Sequence, residues 1–436
     1  MLAICPNSPE LWVYVNCADP DPSQWERRWI LKQHDFVISG VDWSSTTNQI
    51  VTCSHDRQAF VWNYVEGDAA ALLLPQQLDM SEKPSVTVVA TSSASTGNTI
   101  VPPKVFTRPT SSASTASSNR IGNGTSVIGA WKPQVVVLNI NRAALDVRWS
   151  PDGQKFAVAS GAKVVMICSF DSANDWWISK PAKKHKSSAL TVAWHPNGQV
   201  LASVATDYRC RIMSAFLEDV DTSGPDGAQF GGNSLPEVGE VVAEFEVTRA
   251  WLNDCCWSAS GTSLAFVGHD SMLHVATYPS NTSSGGSIED PIIQSIKCPT
   301  LPGTRVLFLS ESLLVVAGHG MNPELFTKSS TDSIWRFACY ADKKAETDKS
   351  TTAAVSSMKS ARELFVNKTT KGQVSSTTEE LWTRHNNAIT YLKPYRTSSS
   401  GNISAFSTSG DDGRVVIWDL VKINPQELNL SQLGLL

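Results

Sequence analysis

One phrase, repeated along the chain, restricts the fold more than any other feature. A small apolar residue, a gap of one and an aromatic recur as Val41-Asp42-Trp43, Val147-Arg148-Trp149, Val192-Ala193-Trp194, Cys255-Cys256-Trp257 and Val306-Leu307-Phe308, with a weaker sixth copy at Ile389-Thr390-Tyr391-Leu392. The residues that follow keep step. Asp56, Asp207 and Asp270 each lie 13 positions after their tryptophan, while Ala162 holds that place in the second copy and Gly320 falls one position earlier in the fifth. Six positions past each of these turns stands another apolar residue: Trp62, Cys168, Met213, Ala276 and Phe326. Asp412 and Trp418 repeat that interval near the C-terminus.

This is the grammar of an antiparallel meander. A strand rich in Val, Ile and aromatics ends at the aromatic residue. A polar turn follows, as in Ser150-Pro151-Asp152-Gly153 or His195-Pro196-Asn197-Gly198, where Pro, Asn, Asp and Gly supply the backbone angles. A second strand (Lys155 to Ser160; Val200 to Ala205), a tight turn and an alternating third strand such as Ala59-Phe60-Val61-Trp62 complete the visible part of the unit. The aromatics are 45 residues apart from Trp149 to Trp194 and 51 from Trp257 to Phe308. Helical repeats need a 3.6-residue pattern that is missing, and β-solenoids have far shorter periods. Four-stranded units of roughly 40–50 residues predict an all-β, seven-bladed WD-repeat β-propeller, with each turn Asp accepting hydrogen bonds inside its own blade.

Two stretches interrupt the meander. Residues 68–130 are of low complexity, with 16 Ser or Thr among the 40 residues of 91–130. Such a segment cannot bury enough apolar area to offset its ordering entropy, so it is expected to be a disordered insert. Residues 341–378 are polar but carry Met358, Ala361, Leu364 and Phe365 as a narrow apolar stripe on a short helix. The expected organisation is therefore first and second blades in 1–67, the insert, third to sixth blades in 131–340, the helical loop 341–378, a seventh blade in 379–420 and a tail from 421 to 436.

The sum of 36 basic and 41 acidic residues gives a net charge of −5, which argues against a chain that coats nucleic acid. No apolar run is long enough for a membrane-spanning helix and no signal peptide is readable. The nine cysteines contain no Cys-x-x-Cys pair and read as reduced, mostly buried thiols of a cytosolic protein. No metal-ligand spacing and no nucleophile elbow occur, so neither metal nor cofactor is expected. His34-Asp35 and His269-Asp270 look like catalytic dyad fragments but fit structural hydrogen-bond networks better. A propeller enzyme would need titratable residues converging on the inner strands, which read as apolar from Val147, Val192 and Val306.

Several phrases are more specific than the repeat. Trp131-Lys132-Pro133, Leu138-Asn139-Ile140-Asn141-Arg142-Ala143-Ala144, Asn174-Asp175-Trp176-Trp177, Tyr208-Arg209-Cys210-Arg211, Val316-Ala317-Gly318-His319 and Ser360-Ala361-Arg362-Glu363-Leu364-Phe365 resemble the forty-kilodalton WD-repeat propeller subunit of the actin-related protein 2/3 complex, from about residue 3 to the C-terminus apart from 68–130. That family carries further N-terminal residues that close the ring and supply the inner strand of the first blade. This chain begins at the third strand of that sheet, so either the start lies upstream, which is favoured, or the first blade is incomplete. The insert 68–130 is foreign to the family.

The resemblance implies a non-catalytic scaffold in the cytoplasm and cortical actin patches. Its partners would be the other complex subunits, the actin filament and nucleation-promoting factors. It makes the helix with Met358, Ala361, Leu364 and Phe365 a protruding actin-facing contact, although Arg362 and Lys368 replace methionines of the family. Lys180, Lys183, Lys184 and Lys186 form a basic run suited to an acidic partner, or simply a solvated loop. Trp176 and Trp177 must point to opposite faces of a strand, one into the core and one outward. A generic adaptor, such as a substrate receptor of a ubiquitin ligase, is the alternative that co-purification would separate.

Overall fold

The computed structural model describes residues 1–17, 24–67, 129–230, 234–279, 290–342, 383–398 and 401–423, together with 73, 76, 77, 88, 89 and 428. Their strands form seven sheets. The second sheet runs outward from β4 (Ile38–Trp43) through β5 (Ile50–Ser54) and β6 (Ala59–Val65) to β8 (Ala130–Val136). The third contains β9 (Ala144–Trp149), β10 (Lys155–Ser160), β11 (Val164–Asp171) and β12 (Trp176–Ala182). The fourth has β13 (Ala189–Trp194), β14 (Val200–Ala205), β15 (Cys210–Ser214) and β16 (Val241–Phe245). The fifth has β17 (Leu252–Trp257), β18 (Ser263–Gly268), β19 (Met272–Thr277) and β20 (Ile292–Lys297). The sixth has β21 (Gly303–Ser310), β22 (Leu313–Gly318), β23 (Glu324–Lys328) and β24 (Trp335–Tyr340). The seventh has β25 (Ile389–Thr397), β26 (Ile403–Gly410) and β27 (Val415–Asp419), and a short helix α1 (Leu420–Ile423) follows.

The repeated aromatic therefore marks the end of an inner strand: Trp43, Trp149, Trp194 and Trp257 are the last residues of β4, β9, β13 and β17. Adjacent inner strands approach closely. A Cβ on Gly40 would sit 2.9 Å from the Val147 amide nitrogen, so only glycine fits there without moving the third sheet. Alternate residues of each sheet face its two neighbours, and six buried apolar clusters fill the gaps. Val51 and Val61 pack with Val147 and Val158, Leu201 with Val165, Ala265 with Phe308, and Leu309 with Phe406 and Trp418. Each cluster joins consecutive sheets, from first-to-second through sixth-to-seventh. Among the described residues none joins the seventh sheet to the first.

The first sheet has three described strands, β1 (Leu2–Ile4), β2 (Glu10–Val15) and β3 (Glu26–Lys32), in that order. β3 leads into the inner strand β4, as the outermost strand does in the following sheets. The hairpin Leu2–Val15 thus occupies the second and third positions from the axis, one position further in than the sequence suggested, and the innermost position holds no described strand. The expected insert also has structure at its edges. Ala130 opens β8, so residues 130–136 complete the second blade rather than begin the third. The Gln77 carboxamide is buried on that strand, accepting from the Trp131 amide at 2.9 Å and donating to the Trp131 carbonyl at 2.6 Å. Val88–Val89 (β7) pairs with β27 as the fourth strand of the seventh sheet.

Candidate functional site

The connection entering each inner strand and the turn between second and third strands open on one end of the ring. On that end three blades carry the same buried network. In the second, His34 Nδ1 lies 2.7 Å from Asp56 and its Nε2 2.9 Å from the Thr52 hydroxyl, to which Trp62 Nε1 donates at 3.0 Å. In the seventh, His385 pairs with Asp412 at 3.1 Å and with Thr408 at 2.8 Å, and Trp418 donates to Thr408 at 2.8 Å. The fourth uses His185, Ser203 and Asp207; Met213 stands at the tryptophan position, and Arg211 joins the network through His185 at 2.6 Å and Asp207 at 2.7 Å. The neighbouring-residue dyads do not form: His34 bonds Asp56 across the blade, and Asp270 bonds His274 at 2.9 Å while His269 meets the Trp251 ring edge-on.

Burial is the leading reason that His34 and His385 titrate below the ordinary value of 6.5, against the pull of Asp56 and Asp412. The unfolded chain then binds more protons than the folded one as pH falls through 6.5 toward the native values. Stability present above that window is lost within it, at up to about 1.4 kcal/mol per pH unit and group. Denaturation midpoints should fall between about pH 7 and 5, and a His34→Gln/His385→Gln double variant should show a flatter profile. An unchanged slope would place the titration elsewhere.

The inner strands depart from the sequence expectation. Val147, Val192 and Val306 are indeed buried, yet residues beside them bring six charges together. Lys393 reaches Asp42 at 2.7 Å, Arg148 Nε reaches Asp146 at 3.1 Å, and Arg305 lies 3.7 Å from Asp254. The Thr191 hydroxyl donates to Asp146 at 2.6 Å, and Asp254 accepts from the Val306 amide at 2.9 Å. Burial pushes the Asp254 carboxyl upward, whereas at Asp146 the same pressure is outweighed by Arg148 and Arg305, which hold it low. Three acids face three bases, and each charge has a partner. The arrangement ties the inner strands together.

The outer edges are where side chains remain unspent. Trp177 is buried against Trp149 and Phe156, with its ring nitrogen 3.2 Å from Gln134, whereas Trp176 is 57% exposed. Ile178 and Lys180 share the Trp176 face of β12 by strand alternation and are exposed. β8 lies alongside, held by the Ser179 hydroxyl donating to the Val137 carbonyl at 2.8 Å, and it exposes Val135 and Val137. Val136 faces Trp177 in the buried seam between these blades, so by alternation the exposed Val135 and Val137 point to the opposite side of the blade pair from Trp176 and Ile178. The lysine run continues from β12 onto the loop end. There Lys183 and Lys163 line a cleft of about 510 Å³ together with Asn139 and Asn141, Lys184 is engaged by Glu240 at 2.6 Å, and Lys186 is exposed. Met358, Ala361, Leu364 and Phe365 lie outside the described residues. The stems of their loop leave from the same end, where the Arg384 amide donates to Asp342 at 2.8 Å. Among the described residues no His, Cys, Asp and Glu group could hold a metal ion, and no helix is long and apolar enough to cross a membrane. The nine thiols are all unbridged, and burial pushes Cys5 up to about 12.

Seven radial sheets with His–Asp networks define a WD-repeat propeller. The WD domain, G-beta repeat family matches residues 25–63 and 377–419, and the anaphase-promoting complex subunit 4 WD40 domain matches 147–220. The fold is also similar to that of Chaetomium thermophilum Sqt1 bound to the N-terminus of ribosomal protein L10, with a TM-score of 0.54 at 12% identity over 95% of this chain and 82% of that one. Longer-range likeness is more specific. Actin-related protein 2/3 complex subunit 1B of Arabidopsis thaliana is 32% identical over 98% of this chain and 93% of its own length. Subunit 1A-B of Xenopus laevis is 32% identical over 96% and 90%, and subunit 1 of Schizosaccharomyces pombe 33% identical over 93% and 91%. The chain belongs to the actin-related protein 2/3 complex subunit 1 family.

Proposed function

We propose that this chain is the non-catalytic propeller scaffold of an actin-related protein 2/3 complex, working in the cytoplasm at sites of actin branching. It contacts neighbouring subunits, the mother filament and nucleation-promoting factors. The observation that carries the reading is the exposed Trp176 on outer strand β12, with Ile178 and Lys180 following on the same exposed face. A tryptophan beside a cationic side chain on a fixed strand is the composition of a protein-contact hot spot. Lys180, Lys183 and Lys186 favour an acidic partner, with Lys184 already engaged by Glu240, and they act on association rate more than on affinity. Phe365, with Met358, Ala361 and Leu364, supplies a separate contact to actin-like surfaces.

Affinity purification of the full chain, with mass spectrometry of what it retains, is the test. Trp176→Asp should weaken recovery of actin-related and complex subunits by about tenfold or more, leaving the unfolding midpoint unchanged. Phe365→Asp should leave assembly intact and depress filament branching. Recovery of ubiquitin-ligase components in place of actin-related proteins would replace this reading with the adaptor one.

A further inference from the structure

The third sheet carries a cleft where its neighbours carry a buried polar network. In the second and fourth sheets a histidine nine positions before the inner-strand tryptophan meets an aspartate 13 positions after it, as His34 meets Asp56 and His185 meets Asp207. The third sheet has Ile140 and Ala162 at those positions, and Val158 where its neighbours place Thr52 and Ser203. Apolar side chains cannot make the hydrogen bonds that draw the entering connection onto the turn. Ile140 and Ala162 both line the cleft of about 510 Å³ that opens there.

The lining has two characters. Val164, Met166 and Pro181 join Ile140 as its apolar part. Asn139, Asn141, Lys163 and Lys183 are exposed and supply its polar part. Among the described residues neither lysine ammonium has a partner, and no lining residue is acidic. In a chain of net charge −5 this is a local reversal of sign. Both lysines are presented from fixed backbone: the Lys163 amide donates to the Ser160 carbonyl at 3.3 Å in a tight turn, and Lys183 directly follows β12. His185 also lines the cleft, but its ring nitrogens lie 2.6 Å from Ser203 and 2.6 Å from Arg211, which makes it a wall.

We infer that this cleft binds a soluble small molecule carrying a phosphate on an apolar or planar body. Clefts of about 300–1,000 Å³ with an apolar lining and a few fixed polar groups are the usual sites of such ligands, and this volume suits one molecule of that size better than a polypeptide. The ammonium groups of Lys163 and Lys183 meet the phosphate oxygens as point charges. The carboxamides of Asn139 and Asn141 each offer donors and an acceptor to the ligand's polar edge, and the apolar lining covers its body. The site is separate from the Trp176 surface, because Pro181 and Ser179 in its lining lie on the other face of β12.

Pyridoxal 5′-phosphate tests the site on the full chain. It combines a planar ring, a phosphate and an aldehyde that condenses with a lysine amine, releasing water; borohydride then reduces the imine to a stable amine that peptide mapping locates. Label should concentrate on Lys163 and Lys183, about tenfold above the mean of the other lysines, and inorganic pyrophosphate should protect them. Pyridoxal, which lacks the phosphate, should show no such preference. Label spread evenly over the lysines, or equal selectivity with pyridoxal, would overturn the inference. Ala162→Phe fills the cleft with both lysines in place and should bring their labelling down to that of the other lysines. Undiminished labelling in that variant would show that the lysines react without the cleft, and would also overturn it. Protection by vesicles containing phosphatidylinositol 4-phosphate but not by pyrophosphate would assign a membrane headgroup and replace the soluble ligand.

Discussion

Asp221→Asn is expected to cost about 3–5 kcal/mol of folding stability, the penalty of leaving a buried charge without its counter-ion. The charge is Lys155, which is fully buried on β10 of the third sheet. Its ammonium donates to both Asp221 oxygens at 2.6 and 2.7 Å and to the Ala215 carbonyl at 3.0 Å. Burial pulls the Lys155 ammonium below its usual value, and Asp221 works against that shift. Ala215 and Asp221 belong to the chain after β15, so the pair staples the third sheet to the fourth. Asp221 also accepts from the Leu217 amide at 2.7 Å and so orders its own loop. An asparagine keeps shape and one acceptor but loses the charge, which isolates the electrostatic part. Replacing both partners by apolar residues, Lys155→Met with Asp221→Leu, should cost less than the single change, since no charge remains buried. Equilibrium denaturation of the full chain measures both. A single variant that unfolds at the wild-type midpoint would show that Lys155 finds another partner or water.

The same staple explains which parts of the molecule could be read in advance. The interval from tryptophan to turn Asp placed the strands because it reports contacts local to one sheet: Trp62 and Thr52 are 10 residues apart, Trp418 and Thr408 likewise. Contacts between sheets carry no such spacing. Lys393 and Asp42 are 351 positions apart, and Lys155 and Asp221 are 66. Their charges looked like ordinary surface residues of a meander. A signal did exist for the channel, since Asp42 and Arg148 both precede the repeated aromatic by one position and Asp146, Asp254 and Arg305 by three. The apolar residues between them hid it. The outward face of Trp176 followed from strand alternation, since Trp177 fills the seam with the second sheet. Val88–Val89 was concealed for a different reason: a two-residue strand makes no period, and the Ser/Thr background around it reads as disorder.

Asp146→Ala should be among the most damaging substitutions in the inner ring, at about 3–5 kcal/mol. Asp146 is 1% exposed and serves three sheets at once. It pairs with Arg148 on its own strand, accepts from Thr191 of the fourth sheet at 2.6 Å and faces the Tyr391 hydroxyl of the seventh at 3.5 Å. Removing it takes from the Arg148 guanidinium its leading counter-charge, with only the weaker attraction of Asp42 and Asp254 left, and strands the Thr191 hydroxyl. A catalytic carboxylate would behave differently, because its loss typically spares or raises stability while abolishing turnover. Asp146→Asn separates the two roles: it retains the acceptor for Thr191 and should recover part of the stability, leaving only the Arg148 charge uncompensated. Urea denaturation of the three proteins should therefore rank wild type above Asn above Ala. If Ala matched wild type, the inner ring would not be the brace that its geometry describes, and its six charges would need another purpose.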